Sequence, residues 1–409
     1  MIRIEYSNGV EERHLKYFSE NIICNFDAKI NINNASFLRT HKKFFDFCKD
    51  KARVIAIGKP HELEAIHNHI KTNFIEIIEN IEKENKAKKA PENGYKTSLL
   101  KIFGYSHFCE SNIFDCLNEQ AESHNDKNNW TSIRKKIVDT LLSVFPENKN
   151  ELIKLNNCKS KTSFKKELMN YKFVNFTQNN IGKAKAFEGC WNAYIFALMS
   201  EINVCPYCNR QFISPIYSEE GKVRGDIDHF LPKSLYPYFS MSLYNLIPVC
   251  KSCNQSLKRD NKFDFDDINP FVENLDSHFI FKADLTTDRI TLKPHSKNDN
   301  RITKYIDIFK LQPLYNYHQN QVKELKIKRI IYPDSYISEL FSNYKKIFAE
   351  REHVVQLIVG VTNIKDDLKK EAFHKFKRDI ATQLNFFNDQ DEAQILELRK
   401  ILETSKTDT

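Results

Sequence analysis

Several kinds of segment are missing from this 409-residue chain, and each absence removes a class of function. No stretch comes near the roughly 20 uninterrupted apolar residues that a membrane helix needs, so no membrane partner is expected. The opening Met1-Ile2-Arg3-Ile4-Glu5-Tyr6 lacks a charged segment leading into an apolar one. Secretion is therefore not expected, and a cytoplasmic location is. There is no GxxxxGK[ST] loop, so any nucleotide hydrolysis would have to come from another chain. No repeat, helix-turn-helix or finger pattern is visible that would read DNA sequence. After Cys253 there is not one more cysteine.

What is present reads as a folded chain. Apolar residues make up 41% and aromatics 12%, with Phe unusually frequent, which implies dense packing. The formal charge of +8 and pI near 8.7 are compatible with a polyanionic partner without requiring one. The richness in Lys, Asn and Ile reads as the bias of an AT-rich genome. In the first half, Ala52–Ile57 resembles a short strand ending at Gly58. A helix is expected from Pro60, carrying Leu63, Ile66, Ile70, Phe74 and Ile78 at steps of three and four. His67 and His69 on it are two apart and share no helical face, so a metal role for His61, His67 and His69 is not expected. Lys83 to Gly94, charged and stopped by Pro91 and Gly94, reads as an internal linker. Tyr95 to Asn180 is mostly helical in pattern. Lys183 to Ile202 reads as an amphipathic helix with Phe187, Trp191, Tyr194, Ile195 and Leu198 on one stripe, a platform for the cysteine-bearing segment after it. Residues from Phe279 to Leu292 alternate as a hairpin, and from Arg301 the pattern turns helical again, with Lys323, Lys326, Lys328 and Arg329 on one helix.

The cysteines fall into two settings. Cys24, Cys48, Cys109, Cys116, Cys158 and Cys190 are scattered, and a reduced, buried small side chain is the expectation for each. Cys205, Cys208, Cys250 and Cys253 form two CxxC pairs. Each pair supplies one edge of the tetrahedron of sulfurs, at about 2.3 Å, that Zn²⁺ prefers. Two disulfides are disfavoured in an apparently intracellular chain. A redox CxxC would need one pair opening a helix within a βαβ pattern, which is absent. A structural zinc closed by four sulfurs is the reading, with no position left for water.

Residues 209–249 between the pairs are too many for a simple ribbon. Arg210 to Tyr217 and Val223 to His229 can form a hairpin around Glu219-Glu220-Gly221. The second strand ends Gly225-Asp226-Ile227-Asp228-His229, followed by Phe230-Leu231-Pro232-Lys233-Ser234. Asn245-Leu246 then precedes the second CxxC, which runs directly into Asn254, with Gln255 to Arg259 able to continue as a helix. Taken singly, an Asp-His pair is most often a cap or ion pair, and an isolated Asn is usually turn chemistry. The order Asp-His-x-x-Pro-x-Ser, Asn-Leu, CxxC-Asn resembles the HNH endonuclease family, a ββα-metal fold, over about residues 200 to 265.

By that resemblance His229 is the general base and Asn245 steadies the loop that holds it. Asp228 and Asn254 are ligands of a catalytic divalent metal, and Asp226 stands where some members carry a further acidic residue. A neutral His can take a proton from water near pH 7. One Asp and one Asn oxygen suit Mg²⁺ or Mn²⁺ with waters left to exchange. Lys233, Lys251, Lys258 and Arg259 are candidate phosphate contacts. Many relatives carry a Lys three residues after the final motif residue. Here Leu257 stands there and Lys258 follows, a shift of about 100° on an α-helix, expected to leave the metal site untouched.

The expected architecture is α+β, mostly α. Residues 1–94 form a mixed α/β region, 95–182 a helical region, 183–275 the HNH domain with its zinc knot, and 276–409 a small hairpin and helices. The expected activity is hydrolysis of phosphodiester bonds in DNA, with RNA not excluded as partner. The Asn269-Pro270-Phe271 stretch, the hairpin and Ile306 to Leu314 look similar to the region after the HNH motif in Septu-type anti-phage effectors, which work beside a separate ATPase. A homo-oligomer is an open alternative, because one such site cuts one strand. Two other functions stay open: a zinc-knot nucleic-acid-binding protein without catalysis, and a stand-alone restriction or nicking enzyme.

Overall fold

The computed structural model describes residues 3–32, 36–87, 94–111, 115–118, 129–170, 190–217, 222–259, 261–296, 298–363 and 370–387. Within them the chain is mostly helical, with three two-stranded antiparallel sheets, in agreement with an α+β, mostly α class.

The regular structure among the described residues of the N-terminal region is all helical. Ala52–Ile57, expected as a strand, is a helix with Ile55 and Ala56 buried against the Asn8–Tyr17 helix. A six-residue, mostly apolar segment does not distinguish strand from buried helix. Among the described residues of this region there is no strand to pair with, and a helix satisfies its own backbone. Pro60–Asn73 begins as expected, with Pro at its start and the Lys59 N–H donating to the Glu62 carboxylate at 2.8 Å. It stops at Phe74, and a second helix, Ile75–Lys86, buries Ile77 and Ile81 in place of Ile78. His67 is bonded to the Tyr238 hydroxyl at 2.8 Å and His69 stacks on Phe47, so both are packing residues.

The expected linker is partly helix. Lys83 to Lys86 close the Ile75–Lys86 helix, and Glu84 is buried where its carboxylate accepts the Lys96 N–H at 2.6 Å, capping the Tyr95–Ile102 helix. Residues 88–93 lie outside the described ones. So do residues 183–189 of the expected Lys183 to Ile202 helix, including Phe187. Of its described residues, only the short Ala193–Met199 segment is helical. Asn192 caps it, accepting the Tyr194 and Ile195 N–H groups. All but Tyr194 of this helix is buried, so it is a core helix with no polar face, and Trp191 precedes it.

Six strands come next among the described residues. β1 (Ile216–Tyr217) pairs with β2 (Lys222–Val223), but the anticipated hairpin goes no further. β3 (Asp226–His229) pairs instead with β4 (Leu246–Val249), placing Asp226 opposite Val249 and His229 opposite Leu246. Gly225 sits at the change of partner, where a Cβ would lie 2.9 Å from the Val249 carbonyl oxygen. The turn at Glu219-Glu220-Gly221 lies outside the described residues. β5 (Phe279–Ala283) and β6 (Ile290–Pro294) form the hairpin read from the alternation, and helices resume from Asn300. On the Gln319–Ile331 helix Lys326 and Arg329 are buried in ion pairs with Asp288 and Asp334 and belong to the core.

Both flanks clamp the central segment. From the N-terminal side Tyr6 donates to the Leu246 carbonyl at 2.6 Å and His14 to the Met241 carbonyl at 2.7 Å. From the C-terminal side Tyr305 donates to the Tyr207 carbonyl at 2.9 Å and Tyr315 to the Cys208 carbonyl at 2.7 Å. The platform under the knot is therefore largely C-terminal. Of the scattered cysteines, Cys48, Cys116, Cys158 and Cys190 are buried, Cys109 is half-buried, and Cys24, against expectation, is exposed. No helix among the described residues is long and apolar enough to cross a membrane.

Candidate functional site

Cys205 and Cys208 lie on a tight turn closed by the Asn209 N–H on the Cys205 carbonyl at 2.8 Å, with Asn209 left-handed at φ 51°. Cys250 directly follows β4, and Cys253 lies in the turn after it. All four cysteines are buried and their sulfurs lie within 4.8 Å of one another, with Cys208 and Cys250 3.9 Å apart. Sulfurs of a zinc tetrahedron with 2.3 Å bonds stand about 3.8 Å apart, and those of a disulfide about 2.05 Å. The arrangement fits Zn²⁺, and it is the single group of its kind among the described residues.

The β3–β4 ladder sets the polar residues beside this knot. Alternation sends Asp226 and Asp228 to one face of β3 and His229 to the other. Both contacts made by the buried Asp228 carboxylate fall on one oxygen. Its Oδ2 accepts the Tyr207 hydroxyl at 2.6 Å and the Lys258 ammonium at 2.5 Å. Tyr207 lies inside the first CxxC, so the knot itself holds this carboxylate. Asp226 Oδ2 accepts from the Asn254 amide at 3.1 Å and Gln255 at 2.8 Å, which leaves the Asn254 carbonyl oxygen as its donor to a cation.

His229 is buried, its ring 4.4 Å from that of Tyr105. Its Nε2 lies 2.9 Å from the Ser240 carbonyl, which can only accept, so Nε2 carries the proton. Nδ1 is then the ring nitrogen able to accept one. Burial, with the charges of Lys233 and Lys258 added, pushes its pKa down to about 3, against the hydrogen bond to Ser240. The imidazole is neutral near pH 7. Asn245 staples the intervening loop, accepting the Leu231 N–H at 2.7 Å and donating to the carbonyls of Leu231 and Phe239.

Lys258 departs from the sequence reading. Ser252–Lys258 is a π-helical turn in which the Arg259 N–H reaches the Asn254 carbonyl, five residues back, at 3.1 Å. The extra residue per turn offsets the one-residue shift and swings Lys258 inward, where it is buried on Asp228 and on the His229 carbonyl at 2.6 Å. The site around Asp228 is thus directly touched by this lysine.

A pocket of about 330 Å³ opens over these groups, lined by Asp228, His229, Asn254 and Lys258 and by the cations Lys233, Arg259 and Lys262. Lys251 is exposed and lies outside that lining. Three residues here escaped the sequence reading. Lys262 carried no motif signal. Tyr105, from the helical region far upstream, packs on His229, bonds the Ile227 carbonyl and carries the Lys233 ammonium 4.6 Å from its ring centre. Tyr207 stood between two zinc-type cysteines, where its position alone could have flagged it.

No family model matches the chain, and no solved structure matches it. Part of it is similar to two curated proteins. It is 34% identical over 76 residues to Septu protein PtuB of Bacillus thuringiensis, covering 19% of this chain and 27% of that protein. It is 38% identical over 61 residues to Protein ea31 of Escherichia phage lambda, covering 15% of this chain and 17% of that one. The chain therefore matches no more than about a quarter of the length of either relative.

Proposed function

We propose that this chain is an HNH-type endonuclease that hydrolyses phosphodiester bonds in DNA, with a divalent metal, as the effector of a bacterial anti-phage defence system. The observation that carries the reading is the placement of His229: its Nε2–H is committed to Ser240 and its Nδ1 is left to accept a proton, in one pocket with Asp228, Asn254 and a wall of cations. His229 takes a proton from a water molecule, whose oxygen bonds to phosphorus while the bond from phosphorus to the departing ribose oxygen breaks. That oxygen is protonated from solvent. Asp228 Oδ1 and the Asn254 carbonyl oxygen are the donor set for Mg²⁺ or Mn²⁺, which would supply charge to offset that developing on the phosphate. Lys233, Arg259 and Lys262 hold the backbone of the strand.

The defence role is supported by the partial similarity to Septu protein PtuB, and a separate ATPase as partner is part of this proposal. The cationic pocket also favours a second reading, a zinc-knot protein that binds nucleic acid without cutting it. That reading leaves unexplained why Asp228, His229 and Asn254 line one pocket. Plasmid cleavage in Mg²⁺, Mn²⁺ or EDTA, wild type against His229→Ala with matched zinc content, separates the two. Metal-dependent cutting that the substitution abolishes is expected. Cutting that survives in the variant sinks His229 as the base. Salt-sensitive binding without cutting, with the ATPase partner present, favours the second reading.

A further inference from the structure

We infer that Lys258 is a resident cation on the Asp228 carboxylate that keeps this site's affinity for a divalent metal low until a phosphate arrives. The inference rests on Asp228 being a metal ligand. The Lys258 side chain is 4% exposed and that of Asp228 8%, with 2.5 Å between the ammonium and Oδ2. The ammonium is fixed a second time by the His229 carbonyl, and it faces the Phe263 ring at 5.4 Å. It is not a loose surface lysine that could swing away at little cost. The π-helical turn that points it inward is held at its far end by Cys250 and Cys253, so its placement is built into the knot.

Tyr207 and Lys258 together engage Oδ2, so Asp228 has Oδ1 alone to offer a metal. A metal on that oxygen would stand a few ångströms from a buried positive charge, with little water between to screen it. The repulsion weakens binding of a dication on the order of tenfold or more. The pocket holds further cations in Lys233, Arg259 and Lys262. An entering phosphodiester supplies the missing negative charge, so metal and nucleic acid bind cooperatively, and the free protein holds its metal poorly.

The test is a binding measurement. Mn²⁺ is titrated calorimetrically into the zinc-loaded full chain, for wild type, Lys258→Met, Lys258→Arg and Asp228→Asn. Lys258→Met is expected to bind Mn²⁺ about tenfold or more tighter, Lys258→Arg to bind as wild type does, and Asp228→Asn to lose the site. Equal or weaker binding by a folded Lys258→Met protein overturns the inference while leaving Asp228 as a ligand. Unchanged binding by Asp228→Asn overturns the ligand assignment itself. A measurement on wild type stands apart from any folding defect: a short phosphorothioate oligonucleotide should tighten Mn²⁺ binding. An affinity unmoved by the oligonucleotide overturns the inference.

Discussion

Acid should loosen the grip of the N-terminal region on the loop behind the site, and His14 is where the effect can be isolated. This histidine is fully buried between two partners of opposite kind. The Trp191 indole N–H, which can only donate, lies 3.0 Å from Nδ1, and the Met241 carbonyl, which can only accept, lies 2.7 Å from Nε2. One neutral tautomer satisfies both, and protonating Nδ1 sets two donors against each other. Burial accordingly pushes its pKa from 6.5 to about 4, the bond to Met241 opposing. A depressed histidine pKa means that below about pH 6.5 the unfolded chain binds a proton the folded one refuses, so stability falls as pH falls and is flat above. At 1.36 kcal/mol per pH unit, going from about pH 7.5 to about pH 5 removes about 2 kcal/mol through His14 alone. His229 contributes a loss of the same sign over the same window. Urea unfolding of the zinc-loaded protein at both pH values, for wild type and His14→Gln, isolates the contribution. The variant starts less stable and loses about 2 kcal/mol less between the two pH values. If both proteins lose the same amount, His14 is not the buried neutral residue described here.

Three other outcomes are expected. Asn245→Ala removes three hydrogen bonds from a buried loop and should cost about 3 kcal/mol or more, read by denaturant midpoint, while cleavage falls further than stability does because Ser240 no longer holds His229 in place. Purified protein should contain one zinc per chain by elemental analysis, and releasing it with a mercurial and chelator should collapse the tertiary near-ultraviolet signal; a protein that keeps that signal without zinc contradicts the knot. Arg259→Ala and Lys262→Ala should each lower the salt dependence of DNA binding by about one counterion without changing zinc content, whereas Lys251→Ala, outside the pocket, should change it less.

What could be read from the sequence was whatever local chemistry specifies. Two CxxC pairs announce a tetrahedron of sulfurs whatever lies between them. Pro60 marks a helix start, and partial alternation marks the β5–β6 hairpin. Readings failed where the outcome depended on distant partners. Ala52–Ile57 is helical because it packs on the Asn8–Tyr17 helix, which no six-residue window contains. The ladder partner of β3 is β4 across a long loop, and the local hairpin rule favoured the nearer strand. Lys258 was misread for a subtler reason. An angular argument assumes α-helical phase, and one π-helical turn restores the phase that the sequence shift removed.

The clamping of the central segment bears on what the flanks are for. Its strands β3 and β4 have four residues each, and the Ser240 carbonyl that fixes His229 belongs to the loop between them, outside either strand. Such a loop keeps its shape only if its neighbours are held. Asn245 holds it from within, and the adjoining carbonyls of Met241 and Leu246 are held by His14 and Tyr6 from the opposite end of the sequence. Tyr105, packed on His229 itself, also comes from the N-terminal half. On the other side Tyr305 and Tyr315 fix the carbonyls of Tyr207 and Cys208, and Tyr207 in turn fixes Asp228. Asp228 and the loop that fixes His229 are thus each tied to a flank through the residues that hold them. A partner that shifts either flank against the centre would act on His229 or Asp228 through these same bonds, without entering the pocket.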